Sequence, residues 1–276
     1  PMPPQPSPGP SSPRQRLERT IRARLPAMPD LVLVTDLDGT LLEGSSGGRR
    51  RFYSWLDTRR DSVLHVFNTG RDLASIARLL EREAAMGLGA PHLVIGDVGC
   101  TVACGLSLAP IPQVVEPIER QWHGQAERVL PLLQTIPGLS RQPVSAVRRL
   151  AYLIDPEILD IAHLQAVEAM GVDCLVSGDK YLDVLPAGVN KGSTLTALIG
   201  WLNLAPETVV TAGDSLNDLA MFATGLQGVM VGNAEPALVA ALPSLRRTYR
   251  ARAHGCHGIV EGLRHFGFAS LLSSHF

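Results

Sequence analysis

Lysine is almost missing from this 276-residue chain: of 25 basic residues only Lys180 and Lys191 are lysine, and the rest are arginine. An ammonium differs from a guanidinium in geometry and hydration, so a lysine kept against this bias invites a chemical reading. No charge sign dominates either. The formal net charge is −1, which excludes a global basic field aimed at nucleic acid or an anionic membrane. No apolar run approaches the ~20 residues of a membrane-spanning helix. Four cysteines (Cys100, Cys104, Cys174, Cys256) show neither CxxC spacing nor a dense pattern, which argues against a disulfide scaffold and for a reducing cytoplasm. Residues 1–30 are rich in Pro and Ser, then Arg, and lack the apolar segment of a secretory signal. They are expected to form a disordered or weakly helical leader.

What is present is a rhythm. Hydrophobic residues make up 45% of the chain, enough for one large core or two smaller ones. From residue 31, short β-branched runs alternate with helical periods: "LVLVTD", "RRRFYSWLDTRR", "VLHVFNTGR", "DLASIARLLEREAAMG" and "HLVIGDVG". The rhythm returns after residue 188 with "KGSTLTALIGWLNL", "TVVTAGD", "LNDLAMFATG" and "QGVMVGN". It predicts an α/β fold, a Rossmann-like parallel sheet with helices on both faces, built from residues 31–107 and 189–270. Between them, over 108–188, the pattern changes. "PIERQWHGQAERVLPLLQTI" and "PEILDIAHLQAVEAMG" read as helices, and "RRLAYLID", "CLVSGD" and "YLDVLP" as strands. That stretch is expected to be a smaller inserted α+β cap domain.

Several predicted strands end on polar groups. Asp36 closes the first strand, with Asp38 two residues on; Thr69 follows the second; Asp214 follows a later one, with Asp218 close behind. Ligand crevices of open α/β sheets lie at those carboxyl ends. Up to four carboxylates in one crevice repel each other unless a cation lies between them, and Mg²⁺ suits such a donor set together with phosphate oxygens. Of two carboxylates spaced as in "DLDGT", one can attack phosphorus and the other can move protons at the leaving oxygen and at water. Lys191 in "GVNKGS" and the Thr69 hydroxyl would neutralise phosphoryl charge, while Gly39 and Gly70 allow close backbone approach.

In order, "DLDGT", "NTGR", "NKG" and "GDSLND" are similar to the four motifs of the haloacid dehalogenase superfamily of phosphatases. The resemblance spans residues 31–268 and implies these roles: Asp36 as nucleophile, Asp38 as acid/base, and Thr69, Gly70 and Lys191 at the phosphate. It also implies Mg²⁺ held by Asp36, Asp214 and the main-chain carbonyl of Asp38, with Asn217 and Asp218 in support. An insert between the second and third motifs resembles the sugar-phosphatase branch, and "YLDVLPAGVNKGSTL" and "GIVEGLRHFGF" look most like the sucrose-phosphate phosphatase family. The implied reaction is hydrolysis of a sugar phosphate, sucrose 6-phosphate first, by a cytoplasmic monomer or small homo-oligomer without nucleic-acid or membrane partners. Mannosylfructose phosphate, an amino-sugar phosphate and a phosphomannomutase-like phosphotransfer are the alternatives. In the insert, Gln142, Arg149, Tyr181 and Asp183 are candidate sugar contacts, although each also reads as a surface residue and Asp183 as a turn residue. The "HGCHG" stretch at 254–258 fits no common zinc spacing and is expected to be a loop before the last helix. Cys100 and Cys104 read as small apolar fillers.

Overall fold

The computed structural model describes residues 9–276. In chain order its strands are β1 (Leu31–Thr35), β2 (Val63–Asn68), β3 (Leu93–Gly96), β4 (Thr101–Cys104), β5 (Leu139–Arg141), β6 (Leu150–Ile154), β7 (Val172–Ser177), β8 (Tyr181–Pro186), β9 (Val209–Gly213), β10 (Gln227–Met230) and β11 (Thr248–Arg250). The helices used below are α1 (Pro13–Ile21), α2 (Ser46–Thr58), α3 (Leu73–Glu83), α4 (Pro112–Trp122), α5 (Gln125–Leu133), α6 (Ala162–Glu168), α7 (Lys191–Leu202), α8 (Leu219–Phe222), α9 (Pro236–Ala240) and α10 (Gly255–His265).

Seven strands form one sheet in the order β11-β10-β9-β1-β2-β3-β4. All neighbours are parallel except β3 and β4, whose antiparallel pairing closes one edge. β1 lies inside, between β2 and β9, and each of its five residues is buried. That is why its sequence is a continuous apolar run and not an alternating one. Successive side chains point to opposite faces. Leu31 and Leu33 pack with Phe52 and Trp55 of α2, Ile76 of α3 and Ile259 of α10. Val32 and Val34 pack on the other face with Leu195 and Leu198 of α7. Helices therefore cover both faces, as the rhythm implies.

The second sheet, order β5-β6-β8-β7, is antiparallel and lies between β4 and α7 in the chain. Leu150, Tyr152, Leu182 and Val184 bury against Val129 and Leu133 of α5 and Leu164 and Val167 of α6. By strand alternation, Arg149, Ala151, Tyr181 and Asp183 fall on the opposite face. α4 joins both parts: Val114 and Val115 enter the core of the large sheet, while Ile118 packs with Leu185 of β8.

Some sequence expectations need correction. The long helix read over 117–136 breaks at Gly124, whose φ of +77° opens a new helix start. The helix read over 156–171 is confined to α6. Strands β4, β5 and β11 are three or four residues long, too short for periodicity to register. "HGCHG" is mostly the first turn of α10, where the glycines permit close packing: a Cβ on Gly258 would press on Val231. Of the leader expected over 1–30 to be disordered or weakly helical, residues 1–8 lie outside the described residues, and the rest carries the short helix α1. Ser12 caps α1 in a reciprocal capping box with Gln15, Pro13 occupies the first turn, and Leu17, Ile21 and Leu25 are buried against the α7 face. Among the described residues no helix is long and apolar enough to cross a membrane.

Because Leu17 is fully buried, Leu17→Ala should destabilise the protein by roughly 2–5 kcal/mol, the usual range for such a truncation. Urea unfolding checks this; an unchanged midpoint would mean that α1 is not part of the fold.

Candidate active site

The central strand and its two neighbours end side by side. Thr35 pairs with Phe67 of β2 and Ala212 of β9, so Asp36, Thr69 and Asp214 emerge from adjacent positions at one edge. After Asp36 the chain makes a wide turn over 37–41. Asp38 is extended there and Gly39 sits at φ +76°, where a Cβ would collide with the Asp214 carboxylate. Glycine is required at that position. At Gly70, by contrast, an added Cβ would make only ordinary contacts, so sterics within the chain do not demand glycine.

Lys191 opens α7, whose first turn is capped by the Asn190 side chain. Its Nζ has no solvent exposure and lies 3.1 Å from Asp36 Oδ1 and 2.8 Å from Asp218 Oδ1, and donates to Asn217 Oδ1 at 3.0 Å. Burial alone would discharge this ammonium; Asp218 and Asp36 outweigh burial and raise its pKa. The second Asp218 oxygen accepts from the backbone N–H groups of Asp214 and Ser215. Asp218 thus ties the lysine to the loop after β9. Thr40 Oγ1 donates to Asp214 Oδ1 at 2.9 Å, which orients that carboxylate.

Asp36, Asp214 and Asp218 each bring a carboxylate oxygen to within 4.8 Å of the other two. Burial and the Asp218 charge push the Asp36 pKa well up, against Lys191, and push Asp214 up to about 6. Three carboxylates and one ammonium leave excess negative charge in a buried place, and the donors are all oxygen. A hard divalent cation such as Mg²⁺ fits that set. Asp36 and Asp214 are the side chains free to hold it, because both Asp218 oxygens are engaged.

Asp38 lies apart from the trio. Its carboxylate accepts two hydrogen bonds from Arg71, Nε and Nη2, each 2.7 Å. Partial burial would raise its pKa, but the Arg71 hydrogen bonds and charge prevail and lower it. Thr69 is buried, and its Oγ1 accepts from Arg71 N at 3.1 Å, leaving the hydroxyl proton free to donate.

The large-sheet motif residues therefore converge. The insert candidates do not behave alike. Arg149 and Asp183 are buried and bonded to each other at 2.7 Å, and Arg149 also reaches Asp97 and the Gly70 carbonyl. Asp183 is an interior residue of β8, not a turn. Tyr181 is 38% exposed, and Gln142 extends the β5–β6 pairing through its N–H to the Ala151 carbonyl. Residues that the sequence reading missed are Arg71, Thr40, Asp97 and Glu235. Glu235 accepts from Leu216 N in the loop after β9 and from Gly178 N in the β7–β8 turn. Arg71 and Thr40 stood inside the quoted motifs, and Asp97 carries the same signal as Asp36, a carboxylate ending a strand. Glu235 had no local signal.

Residues 29–267 match the family model of sucrose-6F-phosphate phosphohydrolase. A glucosylglycerol-phosphate synthase of Pseudomonas anguilliseptica is 40% identical over 239 residues, which cover 86% of this chain and 31% of that protein; the chain spans under a third of that relative's length. A mannosylfructose-phosphate phosphatase of Agrobacterium fabrum is 31% identical over 251 residues, covering 87% of this chain and 98% of that one. Among solved structures, the sucrose-phosphatase of Synechocystis in complex with sucrose and phosphate is similar with a TM-score of 0.78 at 26% identity, covering 87% of this chain and 98% of that one.

If the carboxylate cluster holds a cation, Mg²⁺ should raise the melting temperature of the protein by mass action, and Asp214→Ala should abolish the rise. Calorimetry with Mg²⁺ against EDTA checks this. A melting temperature that does not respond to Mg²⁺ would contradict the assignment.

Proposed function

Because the chain belongs to the sucrose-6F-phosphate phosphohydrolase family, we propose that it is a Mg²⁺-dependent phosphomonoesterase acting on the phosphate ester of a glycoside. The observation that carries this reading is the fully buried Lys191 ammonium held between Asp36 and Asp218, beside Asp214. Mg²⁺, bound by Asp36, Asp214 and the Asp38 carbonyl, would supply charge neutralisation at the transferring phosphoryl group. Lys191 Nζ and the Thr69 hydroxyl bind non-bridging oxygens of the same group. The Asp36 carboxylate attacks phosphorus, forming an aspartyl-phosphate as the bond to the sugar oxygen breaks. Asp38 protonates that departing oxygen and then takes a proton from the water that hydrolyses the aspartyl-phosphate. Arg71 keeps Asp38 ionised in the present arrangement, the form needed for the water step; the acid step requires this pair to loosen when substrate arrives. Asn217 and Asp218 fix Lys191 and the Asp214 loop.

The family and the relatives support a glycoside phosphate as the substrate. The names of those relatives carry sucrose, mannosylfructose and glucosylglycerol, each a sugar joined to a second hydroxyl-rich unit. Sucrose 6-phosphate remains the first choice from the motifs. The 40% identity to a glucosylglycerol-phosphate synthase favours glucosylglycerol phosphate as a second reading. A site built on hydrogen bonds to hydroxyls rejects esters that lack them, and Tyr181 and Gln142 stand on the small sheet for that purpose. The enzyme's place in the cytoplasm is proposed on its four free cysteines.

Catalytic efficiencies measured on sucrose 6-phosphate, mannosylfructose phosphate, glucosylglycerol phosphate, hexose phosphates and p-nitrophenyl phosphate should rank the glycoside phosphates first. Asp36→Asn should abolish turnover of all of them while the protein stays folded. Preference for generic esters would sink the substrate class, and residual turnover by the asparagine variant would sink the nucleophile.

A further inference from the structure

Arg149 immediately precedes β6 of the small sheet, yet its guanidinium reaches into the large one. It is 5% exposed. Nε donates to Asp97 Oδ1 at 3.0 Å, Nη1 to Asp183 Oδ1 at 2.7 Å, and Nη2 to the Gly70 carbonyl at 2.9 Å. We propose that Arg149 is a positioning residue for phosphate binding: it fixes the Gly70–Arg71 peptide, and through it the Thr69 hydroxyl, only while the small sheet lies against the large one. The inference rests on the phosphatase reading above.

The peptide unit between Gly70 and Arg71 is planar and trans, so its C=O and N–H point in opposite directions and turn together. Arg149 holds the C=O end. The N–H end, Arg71 N, donates to Thr69 Oγ1 at 3.1 Å. A shift of the guanidinium therefore swings the donor that sets the Thr69 hydroxyl. The flanking carbonyls are already fixed from within the large sheet: Thr69 O accepts from Val98 N at 3.1 Å and Arg71 O from Asp97 N at 2.9 Å. Of three consecutive carbonyls, the middle one alone is clasped from the small sheet. The three acceptors of Arg149 lie on three different chain segments and each meets a different nitrogen, a spread that a planar fork spans and the single nitrogen of a lysine does not reproduce. Its contacts are to the protein itself, so its effect on substrate choice is indirect. A sugar that keeps the small sheet down keeps Thr69 aligned, and the binding energy of the sugar end then supports the chemical step.

Arg149→Lys keeps a charge for the buried carboxylates but lacks the fork. We expect kcat to fall roughly 10- to 100-fold on both a glycoside phosphate and p-nitrophenyl phosphate, with the variant folded at the assay temperature. Affinity for inorganic phosphate, measured by calorimetric titration in Mg²⁺ buffer, should weaken as well. A loss confined to the glycoside phosphate and carried by KM would make Arg149 a sugar contact and overturn the proposal. So would a normal kcat accompanied only by a lower melting temperature. Should the lysine variant not fold, Asp97→Asn/Arg149→Met/Asp183→Asn removes all three charges together; the same losses are expected, and an unchanged kcat overturns the proposal. The phosphate titration needs no turnover. Wild-type protein that binds phosphate but hydrolyses no ester would refute the phosphatase reading separately.

Discussion

Lys191 and the carboxylates around it set the terms for the rest of the molecule. A buried ammonium costs several kcal/mol unless its partners lie within hydrogen-bonding distance on well-placed supports. Its partners come from the end of β1 and from the loop after β9, and the lysine itself from the start of α7. Those three segments must converge within a few ångströms, which requires β9 beside β1 and the α7 N-terminus over that edge. The sheet order satisfies the requirement, and the Asn190 cap, the Asp218 bonds to the following loop and the Asn68 bond to the Lys191 carbonyl at 3.1 Å hold it. The same arrangement leaves excess negative charge beside one strongly held cation. That is a poor place for a neutral ligand and a good one for a divalent ion and a phosphate.

A second constraint sits one strand away. Asp97, Val98 and Gly99 have φ of 50°, 58° and 104°, and the β-branched Val98 there costs about 1–3 kcal/mol. The strain is offset locally. Asp97 accepts from Thr101 Oγ1 at 2.6 Å and from Arg149; Gly99 O accepts from Thr194 of α7 at 2.6 Å, where a Cβ on Gly99 would strike the Asn190 carbonyl. This turn thus touches the second-strand loop, the α7 start and the small sheet at once. It sets the loop carrying Thr69 and Gly70 relative to Lys191.

Much of this was legible in the sequence for a physical reason. Central parallel strands must be continuously apolar, and a carboxylate at the end of such a run is conspicuous. Asp36 and Asp214 stood out that way, Thr69 as the hydroxyl closing the second run, and Lys191 by its place just before a predicted helix in a chain with almost no lysine. Structure that depends on distant partners left no such mark. The short edge strands β4, β5 and β11 pair only because their neighbours are already in place. α1 is amphipathic only at Leu17 and Ile21, and its arginines masked the pattern. The buried pairing of Arg149 with Asp183 left no mark either, because nothing local reveals that a polar residue has met an opposite charge. Only the fold brings Asp97 to them.

The central claim is that Asp36 carries the phosphoryl group during turnover. Rapid acid quench of the Mg²⁺-loaded enzyme turning over a glycoside phosphate, followed by peptide mass spectrometry, measures this directly. A phosphoryl group on the peptide containing Asp36, formed fast enough to support turnover, is the expected result. Turnover without phosphorylation of Asp36, or with the group on another residue, would contradict it.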